Sequence, residues 1–291
     1  MFTLKKGYLL SGIVTGCILL FTFFSQLPDG KLHMIFCNVG QGDAAYIKFP
    51  DGKDMLIDGG PGGKTPKVLG CLGKYMPFFD RTIDIVVLTH PQEDHLGGLQ
   101  EVMKRYEVAN FVHSDVGNTT KGYETVMKLI AEKHIPDRIV GTGEKIAIGS
   151  THLVVLWPIS SLSNLSNPSN VNDASIVFKL SYGTFDALFT GDADSHVDSE
   201  LTKIPLLDPD GIEVLKVPHH GSKTGMTDGF LQWLGPIKLA IISVGKNMYG
   251  HPAKETITQL ETIGAQVLRT DENGNIEVVS DGKEWTLFTH K

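Results

Sequence analysis

The chain has 291 residues, enough for one large domain or two small ones. With 41% hydrophobic and 20% charged residues, its composition is that of an ordinary globular protein and excludes a disordered or repetitive chain. The formal net charge of −7 excludes a broad basic surface for nucleic acid, so a local patch would have to bind any polyanion. Three cysteines (Cys17, Cys37 and Cys71) are too few for a disulfide framework, and the sequence does not decide whether Cys37 and Cys71 pair.

Residues 7–24 form a run without a charged side chain, preceded by Lys5 and Lys6. A run of this length nearly spans the hydrocarbon core of a bilayer, and the basic pair favours a cytoplasmic amino end. We therefore expect a cytoplasmic N-terminus at residues 1–6, a membrane anchor or signal segment at 7–24, a linker at 25–32 and one catalytic domain at 33–291. The protein would cross a bacterial-type cell membrane once, with the domain outside.

Other interpretations of this segment stay open. Cleavage by a signal peptidase would release the domain as a secreted protein, although no site with small residues is clear. Residues 14–17 resemble a bacterial lipobox, but more apolar residues follow Cys17 where lipoproteins usually turn polar. A helix buried in the domain is the remaining alternative.

The first part of the domain predicts an antiparallel meander. Strands are expected at residues 33–39, 44–49 and 55–57, because turn sequences separate them: Gly-Gln-Gly-Asp at 40–43 and Pro-Asp-Gly-Lys at 50–53. Two carboxylates, Asp43 and Asp58, stand at the ends of these strands. A helix is expected at 65–75, and the apolar run 85–88 predicts a fully buried strand.

The strongest functional signal follows that buried strand. Residues 89–98 are Thr-His-Pro-Gln-Glu-Asp-His-Leu-Gly-Gly. In α/β proteins, ligands bind beyond the carboxyl ends of strands. His90, Asp94 and His95 could converge there on one metal ion, because imidazole nitrogens and carboxylate oxygens are common metal ligands.

The rest of the chain repeats this pattern of a strand followed by polar residues. A Ser- and Asn-rich loop at 159–170 would connect two elements or act as a lid. Three later strands end at Asp192, at the pair His219 and His220, and shortly before His251. A carboxylate bridging two ions and an added imidazole would complete a dinuclear hydrolytic site. The other predicted elements are helices at 99–106, 122–133 and 253–263, and strands at 109–113, 151–156, 175–180, 187–190, 213–217, 239–244, 266–268, 276–279 and 285–288.

Taken in order, these stretches resemble the motifs of the metallo-β-lactamase superfamily, and most closely the hydrolase domain of ComEC-type DNA-uptake proteins. The matching segments are residues 39–44, 56–60, 89–98, 190–192, 219–222 and 243–252. The resemblance implies an α/β fold, an αββα sandwich with its metal site at one edge. ComEC-type proteins carry a multi-helix channel ahead of this domain. Since this chain has one apolar segment, we expect a tethered relative that does not itself take up DNA.

The resemblance also implies roles for individual residues. Asp94 and His95 would bind the metal of the second site, and Asp192 would bridge two metals. One of His219 and His220 would be a further ligand, and the resemblance does not say which.

The first metal site departs from the superfamily pattern. His90 would be a ligand there, but Gln92 stands where a histidine is usual, and an amide oxygen is a weaker zinc ligand than imidazole. The first site would therefore be weak, empty or suited to an oxygen-preferring ion. Asp43 and Asp58 would support the ligands from behind. The implied cofactor is one or two ions of Zn²⁺ or Mn²⁺.

The first functional hypothesis is a metal-dependent phosphodiesterase or nuclease. A bound metal lowers the pKa of its water towards neutrality and so provides hydroxide for attack. Asp94 or Asp192 would accept the proton, and His251 would protonate the leaving oxygen or simply pack. Lys223 and Lys246 could bind a phosphate of single-stranded DNA or of another phosphodiester. No protein partner can be inferred.

Two other hypotheses stay open. The same chemistry would hydrolyse a lactone, a β-lactam or a phosphoester of the cell envelope, and the metal motif does not decide between these substrates. Alternatively, a degenerate fold would serve as an extracellular binding module without catalysis, with Gln92 as its first lost ligand.

Overall fold

The computed structural model describes residues 6–159, 171–204 and 211–291. The loop predicted at 159–170 therefore lies outside the described residues from position 160 onward. The helices are α1 (Lys6–Ser25), α2 (Lys67–Tyr75), α3 (Glu93–Leu96), α4 (Leu99–Arg105), α5 (Lys121–Lys133), α6 (Ser195–Leu201), α7 (Asp228–Leu234), α8 (Lys254–Thr262) and α9 (Thr270–Asn273), with 3-10 turns at Val171–Ala174 and Pro218–Gly221.

The strands, in chain order, are β1 (Leu32–Phe36), β2 (Ala45–Lys48), β3 (Asp54–Ile57), β4 (Thr82–Ile83), β5 (Ile85–Leu88), β6 (Glu107–Val108), β7 (Phe111–His113), β8 (Asp137–Ile139), β9 (Lys145–Ile148), β10 (Thr151–Trp157), β11 (Val177–Tyr182), β12 (Phe185–Phe189), β13 (Ile212–Lys216), β14 (Ile237–Ile242), β15 (Gln266–Arg269), β16 (Asn275–Ser280) and β17 (Trp285–His290). The predicted strands and helices within the described residues form close to their expected bounds. Strands β4, β6, β8 and β9 and helices α3, α6, α7 and α9 were not predicted, because they are too short, and β8 too exposed, to show a hydrophobic period.

The strands build two large sheets. The first has the order β17-β16-β1-β2-β3-β5-β7-β8, and the second has the order β15-β14-β13-β12-β11-β10-β9. The pairs β1–β2 and β2–β3 are antiparallel, which confirms the predicted meander. From β3 to β8 in one sheet, and from β12 to β15 in the other, the neighbouring strands are parallel. The carboxyl ends of these parallel strands carry the polar motifs.

Three groups of buried apolar residues hold the layers together. One group fills the space between the sheets, where Phe189 stacks on Phe36 and Phe178 at ring-centroid distances of 5.7 and 5.0 Å. A second group joins the first sheet to α2, α4 and α5, and a third joins the second sheet to α6, α7 and α8. Each sheet therefore buries both faces, in the αββα arrangement that the resemblance implied.

The residues predicted as an anchor lie in helix α1. The end of this helix contacts the domain, where Phe23 meets Phe79 at a centroid distance of 4.8 Å and the backbone N–H of Phe78 donates to Gln26 at 2.9 Å. Within the described residues, no helix combines the length and the apolar character needed to cross a membrane.

A disulfide joins Cys37 to Cys71, a pairing that the sequence left undecided. Cys37 directly follows β1, and Cys71 lies on the buried side of α2. The bridge ties the start of the turn at residues 40–43 to a helix of the outer layer. Disulfides of this kind persist in oxidising compartments.

Replacing Cys71 by serine should lower the free energy of unfolding by about 2–5 kcal/mol, because the bridge restricts the unfolded chain. Urea denaturation of the full chain under non-reducing conditions measures this change. Cys17→Ser is the matched control, since Cys17 is exposed and unpaired, and it should leave the stability unchanged. Equal stability of the Cys71→Ser variant and the unsubstituted protein would contradict a formed bridge.

Candidate metal centre

A cavity of about 400 Å³ opens at the edge where the parallel strands of both sheets end. It brings together residues that are far apart in sequence, from the turn after β1 to the loop after β14. Its lining consists of Gln41, Pro61, Gln92, Glu93, Asp94, Asn172, Asp192, His219, His220, Tyr249 and His251.

His95 lies between two buried carboxylates, one of which, Asp192, lines this cavity. Its Nδ1 is 2.8 Å from Asp58 Oδ2, and its Nε2 is 3.2 Å from Asp192 Oδ1. Asp58 follows β3 in a left-handed conformation and also accepts hydrogen bonds from the backbone N–H and the hydroxyl of Thr89, at 2.8 and 2.7 Å. Asp58 therefore fixes the imidazole from behind, so that Nε2 faces Asp192.

The two adjacent histidines point in different directions. His219 and His220 both have left-handed backbone conformations (φ of 48° and 53°), which are uncommon for residues other than glycine. His220 is buried, and its Nδ1 donates to the carbonyl of Ser243 at 2.9 Å, so that Nε2 faces the carboxylates. His219 is partly exposed at the cavity wall. Only His220 joins the buried group that surrounds Asp192, so the geometry separates two residues that the sequence could not distinguish.

Four side chains converge on one point: Asp94, His95, Asp192 and His220. One ligand atom from each lies within 4.8 Å of all the others. His220 Nε2 is 3.4 Å from both Asp94 Oδ2 and Asp192 Oδ2. The separation of two ligand atoms in a tetrahedral zinc site is about 3.3–3.5 Å. His95 Nε2, His220 Nε2 and Asp192 Oδ1 are buried without a hydrogen-bond partner, so a divalent cation fits this donor set.

The charges of this group are strongly coupled. Burial alone lowers the pKa of His95, but the carboxylates of Asp192 and Asp58 raise it well above its usual range. The pKa of His220 is likewise raised by Asp192 and Asp43 against the effect of burial. Burial raises the pKa of Asp192, yet His220 and His95 bring it well below its usual value. The buried carboxylates and imidazoles thus favour each other's charged forms, and a bound cation would take the place of the imidazole protons.

A buried ion pair between Asp43 and Lys216 lies behind His220. Asp43 Oδ1 is 3.5 Å from His220 Nδ1, and the Lys216 ammonium also donates to the carbonyl of Gly191 at 3.3 Å. Burial raises the pKa of Asp43, but Lys216 and His220 lower it below its usual range. Asp43 and Asp58 also lie near His95 as a second possible ligand group. Because both carboxylates are already paired, we interpret that group as support for the first.

His90 lies beside the four-residue group but outside it. Its Nε2 is buried without a hydrogen-bond partner, 4.0 Å from Asp192 Oδ2. Burial, together with the neighbouring charge of His95, lowers the pKa of His90 to about 3, which keeps the imidazole neutral. Gln92 donates to the side-chain oxygen of Asn172, which in turn lies 3.4 Å from the His219 ring. This half of the cavity thus offers amide groups and imidazoles around Asp192.

The structure does not bring every candidate residue to the cavity. Lys223 pairs with Glu255 at 3.3 Å, and neither Lys223 nor Lys246 belongs to the lining. Lys216 is buried against Asp43 and does not line the cavity either. His251 does line the cavity, next to His219 at a ring-centroid distance of 5.3 Å.

Several residues of the site were missed in the sequence. Asn172 was one, because it lies two positions after a loop rich in Ser and Asn, where one more asparagine is not distinctive. Ser175 was another: its hydroxyl accepts from the backbone N–H of Asp192 at 3.0 Å. The pairing of Lys216 with Asp43 was also missed, because it depends on contacts between two sheets. The position of Lys216 as the last residue of a buried strand was the available signal.

The chain is similar in sequence to a known protein family and to two curated proteins. Residues 37–161 match the family model of the metallo-beta-lactamase superfamily. The chain is 30% identical to ComE operon protein 3 of Bacillus subtilis over 95% of its own length and 37% of that protein. It is 25% identical to Recombination protein 2 of Haemophilus influenzae, over 92% of this chain and 31% of the relative. The chain therefore spans about a third of the length of these curated relatives.

The fold is shared with solved structures. The metallo-beta-lactamase fold protein YhfI from Bacillus subtilis superimposes with a TM-score of 0.55 at 13% identity, over 86% of this chain and all of that one. At this identity the likeness concerns the fold alone. Residues 37–161 therefore carry a domain of the metallo-beta-lactamase superfamily, whose members are generally metal-dependent hydrolases, and the chain is related in sequence to the ComEC-type competence proteins.

Proposed function

We propose that this protein is a membrane-tethered, metal-dependent phosphodiesterase or nuclease that acts outside the cytoplasm. The convergence of Asp94, His95, Asp192 and His220 at the base of an open cavity carries the proposal. The relationship to a competence protein over nearly the whole chain favours a phosphodiester of single-stranded DNA among the possible substrates. A lactone, a β-lactam or an envelope phosphoester remains the alternative for the same site.

Asp94, His95, Asp192 and His220 would hold the principal ion. Two nitrogen and two oxygen donors suit Zn²⁺, and Mn²⁺ accepts the same set. Such an ion would lower the pKa of water and polarise a phosphoryl oxygen. A second ion would have to rely on His90 and on the amides of Gln92 and Asn172, which makes it the weaker of the two.

The protein's own groups would then position the substrate and move protons. Asp94 is the candidate proton acceptor, because its side chain is 32% exposed to the cavity while Asp192 is buried. Burial raises the pKa of Asp94, but the hydrogen bond with His220 and the charge of His95 keep it below its usual value, so the carboxylate is ionised at neutral pH. Burial lowers the pKa of His251, so its neutral ring would offer a hydrogen bond to the leaving oxygen.

A binding module without catalysis explains the buried polar atoms of the site less well than a metal-dependent enzyme does. A pure binding module has no use for three buried polar atoms that face each other without partners, since each costs desolvation free energy. A cation that satisfies them removes this cost.

Two features support a location of the domain outside the cytoplasm. The charge-free run at residues 7–24 behind Lys5 and Lys6 supports a tether with the domain outside. The Cys37–Cys71 disulfide supports the same side of the membrane, because cytosolic thiols are kept reduced.

We expect the purified full chain to retain about one equivalent of zinc or manganese after dialysis. Asp192→Ala and His220→Ala should each remove it, because each takes away one of four ligands. Glu93→Gln, a carboxylate of the same cavity outside the group, should retain it. Mass-spectrometric metal analysis gives the stoichiometry. An unsubstituted protein that holds neither ion would favour the binding module.

The full chain loaded with zinc or manganese should cleave single-stranded DNA and a chromogenic phosphodiester faster than a lactone or a β-lactam. Asp94→Ala should reduce phosphodiester cleavage by roughly 100-fold or more, through loss of a ligand and of the proton acceptor. Glu101→Gln, on the outer helix α4, is the control and should retain the activity. Undiminished cleavage by Asp94→Ala or Asp192→Ala would refute the mechanism.

The chain expressed in bacteria should sediment with membranes and resist an alkaline wash, and protease added to spheroplasts should degrade the domain. Replacing Leu19 and Leu20 by arginine should release the protein from the membrane fraction, because charged residues are costly in a bilayer. A domain protected in intact spheroplasts, or a shortened protein found only in the medium, would contradict the tether.

A further inference from the structure

A row of aromatic rings leads from the candidate metal centre to solvent. The ring centroids of His220 and His219 are 6.3 Å apart, those of His219 and His251 are 5.3 Å apart, and those of His251 and Tyr249 are 5.8 Å apart. His220 is 2% exposed and Tyr249 is 76% exposed. The row therefore runs from the base of the cavity to its rim.

The loop after β14 holds Tyr249 at that rim. The Asn247 side chain donates to the carbonyls of Gly245 and His251, both at 2.8 Å, and accepts from the backbone N–H groups of Tyr249 and His251 at 3.0 and 3.1 Å. Gly245 packs so closely on the turn after β1 that a Cβ there would lie 2.4 Å from the carbonyl carbon of Gly40. These contacts fix the backbone that carries Tyr249 at the cavity rim.

The described side chains that line the cavity provide no lysine or arginine charge to attract a polyanion. Among the described residues, the lining contains Glu93, Asp94 and Asp192 but neither lysine nor arginine. The net charge of −7 adds no general attraction. The proposed ion would hold only the scissile phosphate, so the rest of a bound nucleic acid needs an anchor that does not depend on charge, and stacking of a base on an aromatic ring is such an anchor.

Since an exposed tyrosine in a fixed loop meets this need, we propose that Tyr249, backed by His251, stacks on the nucleobase next to the scissile phosphodiester. The inference rests on the nuclease function proposed above and deepens it, because Tyr249 becomes the residue that selects nucleic acid over small diesters. A base inside a duplex has both faces covered by its neighbours, so the substrate class is single-stranded nucleic acid. Tyr249 is a substrate-binding residue and takes no part in proton transfer.

The test compares steady-state kinetics of the metal-loaded full chain on single-stranded oligonucleotides. Tyr249→Ala should raise KM by about tenfold and leave kcat within twofold, because a stacking contact is present before and during the reaction. Tyr249→Phe keeps the ring and should behave like the unsubstituted protein. Met248→Ala is the matched control, since Met248 is the fully exposed neighbour and does not line the cavity.

An abasic substrate separates stacking from a general effect on the loop. Removal of the base beside the scissile phosphate should raise KM for the unsubstituted protein by about the same factor as Tyr249→Ala does, and should cost the Tyr249→Ala variant nothing further. Additive losses, or a Tyr249→Ala variant with unchanged KM, would overturn the stacking role while leaving the nuclease function intact. An unsubstituted protein that cleaves the chromogenic diester but no oligonucleotide would overturn both the nuclease function and the stacking.

Discussion

The ion-binding group depends on the burial of several carboxylates close together, which is stable only if positive charge is placed among them. His95 lies between Asp58 and Asp192, His220 lies between Asp192 and Asp94, and Lys216 neutralises Asp43. Each cationic group contacts at least one carboxylate. The arrangement fixes the imidazole rings because each is held on one nitrogen by a support residue or a backbone carbonyl, with the other nitrogen directed at the shared point.

The two-sheet architecture is what makes this network possible. β3 and β5 in one sheet and β12, β13 and β14 in the other end at the same edge, so residues more than a hundred positions apart meet there. Inward-facing apolar side chains set the separation of the sheets, and the short turns after the strands then place the polar groups. The backbone of His219 and His220 is left-handed at both residues. As a result, the imidazole of His220 points inward and that of His219 lies at the cavity wall.

Much of the fold and of the metal site could be predicted from the sequence. Polar residues after apolar runs mark strand ends, and parallel strands end at one edge of a sheet. Asp94, His95 and Asp192 were identifiable on that basis. The choice between His219 and His220 was not, since it depends on backbone dihedral angles that no periodicity reports. The Asp43–Lys216 pair was hidden for another reason: its partners belong to different sheets, and each looks like an ordinary strand-end residue. The contact between Gln92 and Asn172 likewise depends on tertiary structure alone.

The direction of β1 has a consequence for what the protein can reach. The linker enters at Leu32, Pro28 packs near the β2–β3 turn at Gly52, and the opposite end of β1 leads to the turn beside the cavity. Five residues of strand span about 17 Å. If residues 7–24 were held in place, the cavity would therefore lie at the end of β1 opposite the attached linker.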